Sequence, residues 1–365
     1  MRGPFRKKLW VLVPSLLALL AMIPAYSRSA QDVIAGPAHV RQLTFDSKGP
    51  SEVINEFAVA SPDGKYFVVQ HSEDPKLVTL PDGTRTMDFK ETSNWDIIRY
   101  NADGSGRLQL TDEPVSEDQP TWSPDGKTIV YRKVNGKSFD LYLMDADGKN
   151  KRELLIDPAH DEKTPAFSRD GKKVVFFSNR DGIKWNLYSI DVATRKVERL
   201  THDEVEDKHP QYTPDGHVVF HSSRGAIHVT LEGGEPFDVM NLWSLDPATG
   251  KLAELTRSES VTSAYGMRDN RHAWISPDGK YVAYHSNVIE AERKHPGIYR
   301  KHHRELCIAR VDGSRRVFLT TGDHRNFKHP TWSADGKGLF FVFKEKGQAW
   351  NAGFMDVTEA LERLR

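Results

Sequence analysis

Thr121-Trp122-Ser123-Pro124-Asp125-Gly126-Lys127-Thr128-Ile129-Val130-Tyr131 decides the fold. A strand with alternating side chains ends at Trp122, Pro-Asp-Gly makes a tight turn, and a second strand leaves from Thr128 to Tyr131. The same punctuation recurs as Ser61-Pro62-Asp63-Gly64, Ser168-Arg169-Asp170-Gly171, Thr213-Pro214-Asp215-Gly216, Ser276-Pro277-Asp278-Gly279 and Ser333-Ala334-Asp335-Gly336. These six copies start 62, 45, 45, 63 and 57 residues apart, the size of one blade of a β-propeller.

Working outward, each unit reads as four strands, a to d. Strand a precedes the Pro-Asp-Gly turn and strand b follows it. Strand c is an aromatic-aliphatic run such as Leu141-Tyr142-Leu143-Met144 or Asn241-Leu242-Trp243-Ser244-Leu245, and a turn such as Asp147-Gly148 leads to strand d. Leu-Thr closes most units, at Leu110-Thr111, Leu200-Thr201, Leu255-Thr256 and Leu319-Thr320, with Leu154-Leu155 in the same place in the second. The sixth unit has no such close. Val40 to Thr44, which ends in Leu43-Thr44, is therefore expected to supply the outermost strand of the last blade and shut the ring. The fold class is all-β: a six-bladed propeller of four-stranded blades over residues 40–365, with a short helix expected over Val357 to Arg365.

Upstream, Arg2, Arg6, Lys7 and Lys8 precede an apolar run from Leu9 to Pro24, with small residues at Ala25 and Ser27. That is the pattern of a secretory signal peptide over residues 1–27, and it predicts a periplasmic or secreted protein. A retained anchor is the competing reading, but the run is short for a bilayer span and is broken by Pro14 and Pro24. Residues 28–39 read as a linker. Without the leader, 47 basic residues face 51 acidic ones, a balance that argues against nucleic acid as a partner. Cys307 is the single cysteine, so no internal disulfide forms, and its apolar setting marks a buried structural thiol.

The hairpins of Trp-Ser-Pro-Asp-Gly-Lys type, each followed by a Leu-Tyr-x-Met-Asp-type strand and a Leu-Thr close, resemble the TolB-type propeller repeat over about residues 40 to 357. The resemblance implies the fold. It leaves function open, since the repeat serves binding proteins, lyases and the propeller halves of serine peptidases. TolB itself carries an additional N-terminal α/β domain, for which residues 28 to 50 leave no room. The Gly-x-Ser-x-Gly elbow of the related peptidases does not occur in this chain.

Loop length picks out the working face. The b to c connections are long in unit one (Ser72 to Asn94), unit four (Ser223 to Met240) and unit five (Asn287 to Arg304), whereas the opposite face has tight turns. Histidines collect on the long-loop side. Four residues before each turn Ser or Thr stand Phe57, Gln119, Thr164, His209, His272 and His329, so three consecutive units place imidazole at one position. At the end of strand b, His221 and His285 match, and His71 lies one residue on. Two readings stand for these rings: ligands for one divalent ion such as Mn, Zn or Fe, or hydrogen-bond partners that lock neighbouring blades. Asp207, Asn270 and Arg271 either complete a polar cluster or belong to a solvated loop. The unit-five loop from Glu290 to Arg304, with His302-His303, is basic. It offers an anion site or a plain surface, and Glu232, Glu235 and Asp238 of unit four carry the opposite charge.

His209-Pro210-Gln211-Tyr212-Thr213-Pro214-Asp215-Gly216 to His221, with His272-Ala273-Trp274, also resembles the metal-site blades of oligogalacturonate lyases. That similarity implies a His-bound divalent ion acidifying the proton beside a uronate carboxylate, although the lyase family has seven blades where six are counted here. Two functions follow. The first is an exported monomeric module that binds a protein segment or an oligosaccharide through His71, His221, His285, Arg271 and Gln119. The alternative is a metal-dependent carbohydrate-active enzyme with His209, His272 and His329 as ligands.

Overall fold

A computed structural model describes residues 31–34, 39–44, 54–73, 77–79, 85–87, 94–182, 184–231, 234, 236–257, 267–291, 298–321, 323, 325–345 and 350–365. The residues expected to form a signal peptide, with the expected cleavage site, lie outside the described residues. Six antiparallel four-stranded blades form a β-propeller. Blade 1 runs through Ile54–Ala60, Tyr66–Ser72, Asp96–Asn101 and Leu108–Gln109, in spatial order a-b-c-d. Blades 2 and 3 repeat it, with Glu117–Trp122 and Glu162–Phe167 as their a strands. In blade 6 the fourth strand is Arg41–Gln42, paired with Gly353 and Phe354 of strand c, as the Leu-Thr argument requires.

The repeated residues do repeated work. In blade 1 the Ser61 hydroxyl donates to Asp63 Oδ1 at 2.7 Å and accepts from Tyr66 N at 3.0 Å, while Asp63 also accepts from Lys65 N at 3.1 Å. Those donors, Ser61 first, hold the Asp63 carboxyl below its ordinary pKa. Ser123, Ser168, Ser276 and Ser333 build the same turn; Thr213 bonds Asp215 likewise, in a turn one residue shorter.

The closing Thr has its own function: Thr111, Thr201, Thr256 and Thr320 accept from the strand-c amides of Ile97, Leu187, Leu242 and Leu306 at 2.8–3.0 Å. Thr44 does the same for Ala352 at 3.0 Å, so the N-terminal strand is chemically a fifth copy of this close. The preceding Leu is a docking point for the next blade. A Cβ on Gly104 would stand 2.4 Å from the Leu43 carbonyl oxygen, and one on Gly148 2.8 Å from that of Leu110.

The core lies between blades. Val59, Val68, Ile97 and Leu110 of blade 1 pack against Trp122, Ile129, Tyr131 and Met144 of blade 2. Trp122 Nε1 donates across that seam to the Val59 carbonyl at 3.1 Å. Cys307 is fully buried. The C-terminal helix Thr358–Leu364 buries Ala360 and Leu364 in the cluster shared by blades 5 and 6.

Two expectations need correction. The segment read as a linker contains the strand Gln31–Ile34, which pairs parallel with Arg315–Phe318 on the outer edge of blade 5. The long connections of units four and five are not irregular loops. Strands b and c simply continue, as Val218–Leu231 with Pro236–Leu245 and as Tyr281–Ala291 with Ile298–Arg310. The two hairpins then join through Thr230 beside Ile298 and Leu231 beside Tyr299, which merges blades 4 and 5, together with Gln31–Ile34, into one nine-stranded sheet. Val229, Val239, Met267 and Ile289 give this extension a small core of its own. Alternation continues past the expected loop start, and a strand pair with an apolar face to bury keeps pairing. In blade 1 the connection holds a short hairpin, Leu77–Thr79 with Arg85–Met87.

Candidate functional site

Every strand a is bulged at one place, where two of its residues oppose one of strand b. The first residue of each bulge is Phe57, Gln119, Thr164, His209, His272 or His329, and all six are left-handed, with φ between 48° and 55°. None is glycine, so each holds a conformation costing on the order of 1 kcal/mol or more. What the strain achieves is aim, because the six side chains converge on the axis. Ring centroids lie 4.1 Å apart for Phe57 and His329, 4.2 Å for His329 and His272, and 3.8 Å for His272 and His209. Thr164 Oγ1 is 3.4 Å from His209 Nδ1 and 3.4 Å from Gln119 Oε1. The bore is plugged: beside this ring the free space is about 20 Å³, enough for one water molecule or one ion.

A second layer stands on strand b, opposite the residue before each bulge: Gln70, Arg132, Phe177, His221, His285 and Val342. Three of these reach the next blade. Gln70 Oε1 accepts from Gln119 N at 3.0 Å, His221 Nδ1 from His272 N at 3.4 Å, and His285 Nδ1 from His329 N at 3.4 Å. An acceptor Nδ1 fixes the proton of each of these two rings on Nε2. They are latches between blades 4 and 5 and between 5 and 6. Burial holds all five of these imidazoles well below the usual histidine pKa, helped by neighbouring cations at every ring but His272, where the surrounding imidazoles add to it, so they are neutral. His329 Nδ1 is buried without a hydrogen-bond partner.

Above the plug, on the face of the extended hairpins, the residue before each bulge is charged: Glu56, Asp118, Lys163, Lys208, Arg271 and Lys328. Each has a partner. Lys328 pairs with Glu56 across the seam of blades 6 and 1, Arg132 forks onto Asp118, Lys163 meets Asp161 at 3.2 Å, Lys208 pairs with Glu206, and Arg271 meets Asp269 at 2.7 Å. Burial pushes the ammonium pKa of Lys163 and Lys328 down, and the partner carboxylates oppose that.

The structure thus brings His209, His272, His329, His221, His285 and Gln119 together, as their shared register implies, and places Arg271 at the rim. His71 is not among them. Its register is one residue off, its Nδ1 lies 2.9 Å from Asn55 Oδ1, and Gln70 occupies the place equivalent to His221. Asp207 and Asn270 form neither a solvated loop nor an axial cluster. Asp207 is buried against Arg224, and Asn270 donates to Asn241 Oδ1 at 3.3 Å. Asp238 meets His228 Nδ1 at 2.6 Å. Glu232, Glu235 and the side chains of His302 and His303 lie outside the described residues. Among the described residues, no group of three or more His, Cys, Asp or Glu side chains is arranged to hold a metal ion. Sequence reading overlooked Glu56 and Lys328, and counted Arg304 in a basic loop without singling it out. The first two were signalled by their place one residue before a ring position, the third only by strand pairing.

In sequence the chain is 26% identical over 274 residues to the Tol-Pal system protein TolB of Francisella tularensis subsp. holarctica, covering 66% of this chain and 59% of that protein. In structure it overlays TolB from Acinetobacter baumannii with a TM-score of 0.51 at 19% identity, over 85% of this chain and 65% of that one. In fold the chain is a six-bladed propeller, and in sequence it is similar to TolB. An oligogalacturonate lyase in complex with manganese overlays with a TM-score of 0.50 at 14% identity, over 90% of this chain and all of that one, a likeness of fold alone. No protein-family model matches the chain. Among the described residues no helix is long and apolar enough to cross a membrane.

Proposed function

We propose that this TolB-like propeller is an exported, monomeric binding module whose ligand, a protein segment or an oligosaccharide, sits on the face bearing the b to c connections. The observation that carries the reading is the wall formed by the joined hairpins of blades 4 and 5, standing beside a bore that is closed at its axis. A plugged bore with tight turns behind it leaves one face for recognition. The basic and apolar leader supports export to the periplasm or beyond, and the Tol-Pal name of the relative supports a protein partner. N-terminal sequencing of the exported protein should begin at Arg28, and an intact Met1 there would sink cleavage after Ser27. Capture of a partner by the native chain, lost when the wall is shortened between Ile227 and Val239, tests the face itself.

A second reading, a metal-dependent enzyme on acidic carbohydrate, is favoured by three neutral imidazoles at one axis with an unpartnered Nδ1 on His329. As the rings stand, they would have to turn to aim their nitrogens at a common point. Elemental analysis of protein purified without chelator decides between the two: about one transition-metal ion per chain, lost in His272→Ala, supports the enzyme, and a metal-free chain supports the module.

A further inference from the structure

Arg304 differs from every other cation at the rim. Its backbone N donates to Asn326 Oδ1 at 3.0 Å and its Nε to Asn287 Oδ1 at 3.0 Å, so the stem and the inner edge of the guanidinium are fixed. Asn287 is itself held, donating from Nδ2 to Asp269 Oδ2 at 2.6 Å. The outer edge, the two Nη nitrogens, has no acceptor among the described residues, although the side chain is only partly exposed.

The carboxylates within electrostatic reach are committed elsewhere. Asp269 takes Arg271, Asn287 and the Met240 amide, and Glu56 takes Lys328 and Gln70. Burial already pushes the Arg304 pKa below the usual guanidinium range, with Glu56 opposing and Arg271 adding to the shift. A desolvated charge without a counter-ion weakens a fold. An arginine whose inner edge is locked and whose outer fork is free has the geometry for binding a planar anion through both Nη nitrogens.

We propose that Arg304 is the anchor for a single carboxylate group of the ligand taken by this face. The proposal rests on the binding-module reading and adds the chemistry of one contact. One spare positive charge, flanked by Glu56 and Asp269, suits a monoanion; a phosphate dianion would be repelled by both.

The test uses the full mature chain and acetate as the probe, with phosphate and chloride at equal ionic strength as comparisons. Thermal unfolding should show a saturable rise in midpoint with acetate that exceeds the rise with chloride and with phosphate. Arg304→Gln should abolish that excess while leaving the anion-free midpoint equal to or above the native one. Arg304→Lys, which keeps charge but loses the fork, should raise the apparent acetate dissociation constant at least severalfold. An acetate effect that survives Arg304→Gln, or one matched by chloride or phosphate, overturns the assignment. Should Arg304→Gln fail to fold, an unchanged acetate constant in Arg304→Lys overturns it as well. Capture of a partner that is equally strong with Arg304→Gln and is not weakened by acetate would leave the module standing and remove the anchor. An acetate effect without any captured partner would do the reverse.

Discussion

Acidification should loosen this propeller on one side only. His209, His221, His272, His285 and His329 are neutral in the fold and would protonate near pH 6.5 once released, so below that pH the unfolded chain binds more protons. The stability these rings contribute is complete above pH 6.5 and is lost as pH falls toward their depressed folded values. Between pH 6.5 and 5.5 each fully buried imidazole costs about 1 kcal/mol. His221, His285 and His329 are buried, while His209 and His272 keep more surface, so the five rings together lose about 3 to 5 kcal/mol. Glu162 works in the opposite sense: burial pushes its carboxyl up to about 7, so it recovers about 1 kcal/mol over the same interval.

Urea unfolding should therefore report a net loss of about 2 to 4 kcal/mol. The location is more diagnostic than the size. An imidazolium cannot accept a hydrogen bond, so a proton taken up when the blades part locally stabilises the opened state and stops the latches onto the His272 and His329 amides from re-forming, whereas the Gln119 amide is held by Gln70, which does not titrate. Hydrogen exchange at pH 5.5, corrected for intrinsic rates, should deprotect His272 and His329 while Gln119 stays protected. Equal deprotection of all three amides, or a stability that is flat from pH 7 to 5.5, would refute the reasoning.

Two further outcomes probe the closure of the ring. Thr44→Val keeps the shape of the side chain but leaves the buried Ala352 amide without its hydroxyl acceptor, and should lower unfolding stability by about 1 to 3 kcal/mol in urea. Gly104→Ala places a methyl 2.4 Å from the Leu43 carbonyl oxygen at a φ of +93°, so its midpoint should fall by more than that of Gly136→Ala, where φ is +67° and nothing lies within 4 Å. Equal losses would mean that the turn does not bear on the closing strand.

The fold was legible because each blade is written in residues whose chemistry is local. Ser61 and Asp63 close a turn within six residues, and Thr111 caps the amide of Ile97 in its own blade, so a motif that recurs must recur as structure. Leu43-Thr44 carried this logic across the whole chain, to Ala352. The shared register of His209, His272 and His329 was readable for the same reason. What that register did not disclose was the φ near +53° that turns them inward, since the same left-handed turn is taken by Phe57, Gln119 and Thr164 and so belongs to the bulge rather than to any residue type. The joined hairpins escaped notice because Thr230 and Ile298 pair between blades, and no spacing along the chain encodes a parallel contact of that kind. Arg304 was legible only as one cation of a basic loop, because a guanidinium with a free outer fork can be recognised only once the partners of its neighbours are known.

The latches also constrain any chemistry assigned to the axis. A metal takes the lone pair of a neutral imidazole, but His221 and His285 already spend their Nδ1 lone pairs on backbone amides, and their Nε2 atoms carry the proton. Recruiting either ring would cost an inter-blade hydrogen bond. Only the rings of His209, His272 and His329 take no part in those latches, and of these only that of His329 has a buried nitrogen wholly without a partner. An axial ion would therefore have at most three protein nitrogens, and would compete with protons over the same acidic range in which the blades separate. Metal occupancy and resistance to acid should consequently rise together, whereas a purely structural cluster should give an acid transition that chelators leave unchanged.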